Sequence, residues 1–327
     1  MKQFLVLALV ALGFLSPAAV VWCEGGAATA PELAPQAGGG FQAVLTTSEL
    51  VVGHNRLAFG LLKEHQLLDE ADVVVRVYAL HGQQAQLKAQ MPAPYARLEV
   101  VEQGKRVHVH PDGRRHVHNE ATDVRGLYVT QVTFTRPGPW GLEVLARQGS
   151  GPLNWAALPT QSQGDGPVAV SRFTINVLAA PSTPAPGTPA PRSHNLIASD
   201  VPDLRQIDTS DPPDPRLHQV RIADAIAQGK PQVIVFATPQ FCTSRVCGPV
   251  VDIVRTLLPA YGDRVVFTHQ EIWQDAAAHK FFPTMAEWGL QTEPWIFVVD
   301  GKGIIRAKFE GLTTAREIEA ALKQVLE

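Results

Sequence analysis

A chain of 327 residues is longer than one ordinary core and fits two domains with tails. Its hydrophobic fraction of 45% and charged fraction of 18% are those of a globular protein, and a formal net charge of -3 leaves no basic footprint for nucleic acid. The 3 cysteines, at positions 23, 242 and 247, are too few for a disulfide scaffold.

The N-terminus carries Lys2, an apolar run from Phe4 to Leu15 and the small, turn-forming Ser16-Pro17-Ala18-Ala19. This is the order of a secretory signal, assigned to residues 1–22. The run is short for a spanning helix, which needs about 20 residues, although it reaches Trp22 if it stays uncleaved. The expected location is therefore extracytoplasmic: periplasmic or at the cell surface. Cys23 stands where a lipoprotein carries its acylated cysteine, which would tether the chain to a membrane, but Trp22 replaces the small residue that such a site has before it. A Gly/Ala/Pro stretch without apolar period makes 23–40 a flexible spacer.

From Phe41 to about Ala180 the chain consists of short β-rich runs, among them 71–80, 126–135, 140–148 and 170–179. Alternation at period two between Gly/Pro/Asp turns predicts an antiparallel β-sandwich over 41–180, immunoglobulin-like in architecture only. Within it, RVHVHPDGRRHVHNE places His108 and His110 before a Pro-Asp-Gly turn and His116 and His118 after it. Residues two apart on a strand share a face, so pairing about Gly113 would oppose His110 to His116 and His108 to His118. Four imidazoles on one face suit copper, zinc or nickel. The bland alternative is an exposed, histidine-rich tip, with Lys105, Arg106, Arg114 and Arg115 opposing any cation.

The stretch PSTPAPGTPAPRS at 181–193 reads as an extended proline-rich linker that joins neither core and, with a polar lead-in to 214, marks a domain boundary. Beyond it, over 215–327, strands and helices alternate as in an α/β domain. The expected order is a helix near 220–229, strand 232–237, helix from Pro249 to about Leu258, strand 264–269, helix near 279–289, and a hairpin across Gly301-Lys302-Gly303. A last helix opens with Thr314 and Glu317 at capping-box spacing.

Cys242 and Cys247 lie on the turn between the buried strand 232–237 and the next helix. With Pro249 at the first helical position and Gly248 as cap, Cys247 would sit just ahead of the helix, where the dipole favours a thiolate. The strand-cysteine-helix turn, the order of elements and QTEPWIFVVDGKG at 291–303 resemble the thioredoxin superfamily over 215–327. The resemblance implies a thioredoxin-like fold, a cis-proline loop at Pro294 where a substrate strand pairs beside the cysteines, and Cys242 as the attacking member. The chain departs from the family in spacing, with four residues, Thr243 to Val246, between the cysteines where the family has two. Wider spacing and a following proline look more like the copper-handling SCO proteins, yet no histidine occupies the matching loop. Glu293 stands there instead, a candidate proton carrier or weak metal ligand, with His269 and Glu271 the nearest substitutes.

The expected function is thiol-disulfide exchange with protein thiols or disulfides or a redox partner, requiring no cofactor, with Cys242, Cys247, Glu293 and Pro294 as site residues. Two rivals stand beside it. One passes copper between the histidine hairpin, which could bind copper or zinc, and the cysteine pair, and the other is a non-catalytic module with a permanent disulfide. A six-residue loop gains little from closure entropy, so stability alone is a weak reason for the pair.

Overall fold

The computed structural model describes residues 41–63, 66–81, 84–98, 106–109, 115–118, 124–147, 168–242 and 246–327. The signal, Cys23 and the spacer assigned at 1–40 lie outside them. None of the described helices is long and apolar enough to cross a membrane.

The N-terminal lobe is built from antiparallel sheets. One holds β1 (Phe41–Leu45), β2 (Gly53–Lys63), β3 (Gln66–Leu67), β6 (Tyr95–Arg97) and β9 (Gly126–Phe134), in the order β1-β2-β9-β6 with β3 beside β2. The other holds β4 (Asp72–His81), β5 (Gln84–Pro92), β10 (Gly138–Arg147) and β11 (Ala169–Val177), in the order β11-β10-β4-β5. In β9 burial alternates from Tyr128 onward, so one row of side chains enters a core and the other faces outward. The two sheets meet where Phe134 of β9 stands edge-on to Trp140 of β10, with ring centroids 5.2 Å apart, and the indole N–H donates to the Arg136 carbonyl at 3.0 Å.

The histidine hairpin pairs in a different register from the expected one. Strands β7 (Arg106–Val109) and β8 (Arg115–His118) oppose His108 to His116 and Arg106 to His118, while His110 lies outside the described residues. The ladder runs from the Arg106–His118 pair to the Val109–Arg115 pair.

The C-terminal lobe holds a four-stranded sheet in the order β13-β12-β16-β17, made of β12 (Gln232–Phe236), β13 (Val266–Gln270), β16 (Trp295–Val299) and β17 (Ile305–Glu310). Strand β12 is parallel to β13 and antiparallel to β16, and β16 is antiparallel to β17. All residues of β12 and β16 are buried, so both faces of the sheet are covered. Alternate side chains divide between two cores. Val233, Val235, Ile296 and Val298 pack with α2 (Cys247–Tyr261) and α4 (Ala315–Leu326), whereas Ile234, Phe236, Phe297 and Val299 pack with α1 (Ile222–Ala227) and Trp288. The capping box of α4 forms as its spacing predicts, with the Glu317 N–H donating to Thr314 Oγ1 at 3.2 Å and the Thr314 N–H donating to Glu317 Oε2 at 3.0 Å.

Three expectations need correction here. Helix α2 begins at Cys247, with Val246 rather than Gly248 at its N-cap, so Pro249 occupies the third helical position. The helix expected near 279–289 shrinks to α3 (Pro283–Glu287), because a small hairpin of β14 (Trp273–Asp275) and β15 (Lys280–Phe281) precedes it and stacks Trp273 on Phe281. The proline-rich segment, finally, is no free linker. Its few available N–H groups are enough to run along the edge of β17: the Gly187 N–H donates to the Ile305 carbonyl at 2.7 Å and the Ile305 N–H to the Thr188 carbonyl at 3.0 Å. Ala190 enters the α1-side core. The cores themselves are not separate, since Ala58, Leu98 and Leu127 of the N-terminal lobe belong to the same apolar cluster as α2 and α4.

Gly289 has φ 61, and a Cβ there would collide with the Ser182 carbonyl. Asparagine tolerates that backbone region but carries a Cβ, so Gly289→Asn isolates the clash. It is expected to lower unfolding free energy by about 1–3 kcal/mol in urea titration. An unchanged midpoint would mean that the 181–193 segment is not docked.

Candidate functional site

Strand β12 ends at Phe236, and the chain turns through Ala237 and Thr238 to Cys242, which is disulfide-bonded to Cys247 at the first position of α2. The Cα atoms are 6.1 Å apart, and the two residues are 1% and 0% exposed. The start of α2 is bare in one respect: Val246 supplies no side-chain cap, and no acidic residue stands in the first turn. The positive end of the helix is therefore left to the disulfide and to whatever charge approaches it from outside.

That charge belongs to Glu293. Its carboxylate lies within 4.8 Å of both cysteine sulfurs. Glu293 Oε2 accepts the Thr238 N–H at 2.9 Å, so the β12 turn holds the carboxylate beside the disulfide. Burial, followed by the neighbouring Glu271 charge, pushes the Glu293 pKa up to about 7 against weaker opposition from Thr238 and His269. Pro294 follows through a cis peptide bond and is buried, and its carbonyl accepts the Gly311 N–H at 2.9 Å. The structure thus brings together Cys242, Cys247, Glu293 and the Pro294 loop.

Behind this group lies a layer of buried polar residues. Asp208, His218 and His269 are 0%, 1% and 0% exposed. Asp208 accepts the Ser210 N–H at 2.9 Å and the Asp214 N–H at 2.8 Å; its Oδ2 is 3.2 Å from His218 Nε2 and its Oδ1 is 3.4 Å from His269 Nδ1. His269 Nε2 lies 2.9 Å from the Ala237 carbonyl, an acceptor only, so this nitrogen carries a proton. The other nitrogen faces Asp208 at 3.4 Å, a charge contact without a formed hydrogen bond, which favours the protonated ring. Burial pulls its pKa down, but the Asp208 charge, then Glu271 and the Ala237 carbonyl, outweigh that and raise it. Asp208 is moved the opposite way, well below the usual carboxylate range, because His269 and its donors outweigh its burial. In His218 burial dominates and lowers the pKa, leaving a neutral ring.

Glu271, also buried, takes the N–H and the hydroxyl of Thr209 on Oε1, both at 2.6 Å, and burial raises its pKa. Thr209 Oγ1 in turn accepts the Gln240 N–H at 3.3 Å, two residues before Cys242. The lead-in residues 208–218 therefore pin the cysteine turn from behind. Sequence reasoning names His269, Glu271 and Glu293 but misses Asp208 and His218, which sit in a proline-broken polar stretch without period. Asp208, His218 and His269 have the composition of a metal site, with donor atoms within 4.8 Å of one another. The contacts nonetheless fit protons: the carboxylate meets two backbone N–H groups and two imidazoles with no ion needed. His269, committed to Ala237 and Asp208, does not supply the histidine ligand that the cysteine pair lacks.

No protein-family model matches the chain, and no curated protein matches it either.

A carboxyl whose pKa is higher folded than unfolded binds its proton more tightly in the native state. Its stabilisation is full below the unfolded value near 4.5 and is lost as pH rises to about 7. Glu293→Gln keeps an acceptor for the Thr238 N–H and removes the charge. It is expected to leave stability unchanged at pH 4 and to raise it by roughly 2 kcal/mol at pH 8, read from urea unfolding at the two pH values. Equal stability of parent and variant at pH 8 would show that the carboxylate is solvated rather than buried.

Proposed function

We propose that the chain is an extracytoplasmic thiol-disulfide oxidoreductase, with Cys242 and Cys247 as its exchanging pair and Glu293 as their proton carrier. The observation that carries this reading is the carboxyl of raised pKa within 4.8 Å of both sulfurs at the uncapped start of α2. A permanent structural disulfide needs no titratable group there, and an ionised one beside it brings no benefit to folding. The order β13-β12-β16-β17 with helices on both faces, and the cis bond to Pro294 directly after the carboxyl that lies beside the disulfide, support reading residues 215–327 as thioredoxin-like. The antiparallel sheets of the N-terminal lobe support an immunoglobulin-like sandwich.

In the reduced protein Cys242 thiolate attacks one sulfur of a substrate disulfide, forming a mixed disulfide and releasing the first substrate thiolate. Glu293 takes the proton of Cys247. Cys247 thiolate then attacks Cys242 Sγ, re-forming the internal disulfide and expelling the second substrate sulfur, which leaves as a thiol by accepting the proton from Glu293. Two electrons and one proton pass to the substrate, whose first-released thiolate takes any further proton from water, and the reverse sequence oxidises a dithiol. The helix dipole and a pKa near neutrality are both suited to this work, since a proton carrier acts best when its pKa lies close to the working pH.

Thiol trapping after equilibration in graded dithiothreitol is expected to show Cys242 and Cys247 passing reversibly between disulfide and dithiol while the fold stays intact. A pair that resists reduction until the protein unfolds would make the disulfide structural and end this reading. Glu293→Gln is expected to slow exchange at pH 7 by about tenfold or more and to remove the step in the pH–rate profile near pH 7. A profile that keeps its step in the variant would exclude Glu293 as the proton carrier.

A further inference from the structure

Glu310, the last residue of β17, is 6% exposed and so holds a carboxylate almost wholly out of water. Such a group is tolerated only when donors replace its hydration. Here the donors come from two places. The Ser48 and Glu49 N–H groups, from the segment between β1 and β2, both donate to Glu310 Oε2 at 2.8 Å, and the Ser48 hydroxyl donates to Oε1. The Thr292 hydroxyl donates to the same Oε1 at 2.7 Å, and Thr292 Oγ1 accepts the Trp295 indole N–H at 3.1 Å. Thr292 immediately precedes Glu293 and Pro294.

The network continues outward from the same segment. Glu49 accepts the Ser182 N–H at 2.8 Å, the Thr183 hydroxyl at 2.8 Å and the Lys308 ammonium at 2.5 Å. Gly311, whose N–H holds the Pro294 carbonyl, has φ 72, and a Cβ there would collide with the Thr46 carbonyl. The N-terminal lobe thus reaches the back of the Thr292–Pro294 loop along two routes, Ser48 through Glu310 and Thr46 against Gly311.

We propose that Glu310 is a positioning residue through which the N-terminal lobe fixes the Thr292–Pro294 loop against the disulfide, so that the lobe completes the exchange site rather than merely carrying it. This rests on the oxidoreductase reading and on that loop as the ledge where a polypeptide substrate lies. Each bond to a carboxylate is stronger than one between neutral groups, and three of the four donors that hold Glu310 belong to Ser48 and Glu49. Loss of the N-terminal donors frees Glu310 to turn away from Thr292, and the loop then samples positions in which the ledge no longer lines up with Cys242.

The test uses the full chain and two partners: dithiothreitol, which needs only access to sulfur, and a short peptide closed by one disulfide, which also needs the ledge. Ser48→Ala is expected to slow exchange with the peptide by about fivefold and with dithiothreitol by less than about twofold. Thr292→Val, which keeps shape and removes the hydroxyl, is expected to slow the peptide reaction by a similar factor, and Thr292→Ser to recover most of it. The deciding measurement is the double variant. If Ser48 acts through Glu310 on Thr292, Ser48→Ala adds no further slowing once Thr292 is valine. Effects that multiply, or a Ser48→Ala loss equally large with dithiothreitol, would overturn this proposal while leaving the oxidoreductase reading intact. A parent disulfide that never exchanges in the folded state would overturn both.

Discussion

Moving an ionised carboxylate out of water costs several kcal/mol unless donors replace its hydration shell. Asp208 meets that condition at the end of β13, where it gathers the Ser210 and Asp214 N–H groups, His218 and His269 around one fully buried side chain. Much of the C-terminal lobe depends on this arrangement. It closes the loop from 208 to 214 on itself, fastens that loop to the strand end through His269, and so holds Thr209 where it can bind Glu271 and the Gln240 N–H. The cysteine turn is therefore backed by a polar layer and not by the apolar core alone. Removing one member would leave a buried charge without its partner, which is the costly way to break such a network.

The layer also sets the electrostatics felt at the disulfide. Asp208 faces His269 as an oppositely charged neighbour, so the acidity near the disulfide is set by Glu271 and Glu293: burial raises the pKa of both, and the Glu271 charge raises that of Glu293 further. Of the two, Glu293 is the one beside the cysteines, and the start of α2 offers it a positive field. The result is a group balanced near neutrality, where small changes at sulfur shift it between acid and base. Replacing the disulfide by a thiolate adds a negative charge within a few ångströms, which favours protonation of Glu293. Re-forming the disulfide releases that proton. In the proposed exchange, electron and proton transfer would thereby be linked by Coulomb interaction at short range.

The parts of this structure legible from sequence are those with a local signal. Period-two alternation locates β4, β9, β10 and β11, the capping-box spacing of Thr314 and Glu317 locates α4, and the turn between β12 and α2 places both cysteines. What escapes is non-local. Asp208 and His218 sit in a stretch broken by prolines, and only the closure of the loop onto β13 gives them a role. Residues 181–193 have a linker's composition, yet proline-rich backbone is also well suited to lie along a sheet edge, since it is already extended and has few N–H groups left to satisfy. The register of the histidine hairpin is not legible either, since symmetry about Gly113 sets His108 against His118 whereas the ladder sets it against His116. Glu310 looks like an ordinary alternating strand glutamate until the Ser48 segment is seen to cover it.

Both sulfurs are almost wholly buried, so the site cannot exchange with a polypeptide without some local opening. The distribution of contacts indicates where that opening is cheapest. The base of the turn is fixed through Thr209 and Thr238, and the Pro294 loop is fixed through Glu310, Gly311 and the N-terminal lobe. Cys247 is anchored as the first residue of a helix whose apolar face is locked in the shared core. Cys242 packs in the same core but belongs to neither helix nor strand, lying between the pinned turn and the uncapped helix start. An opening that exposes Cys242 leaves Cys247 and Glu293 in place and breaks neither the helix nor the buried ion pair. In the exchange proposed above, Cys242 is then the sulfur that can meet a substrate with α2 intact, whereas exposing Cys247 would require unwinding the first turn of that helix.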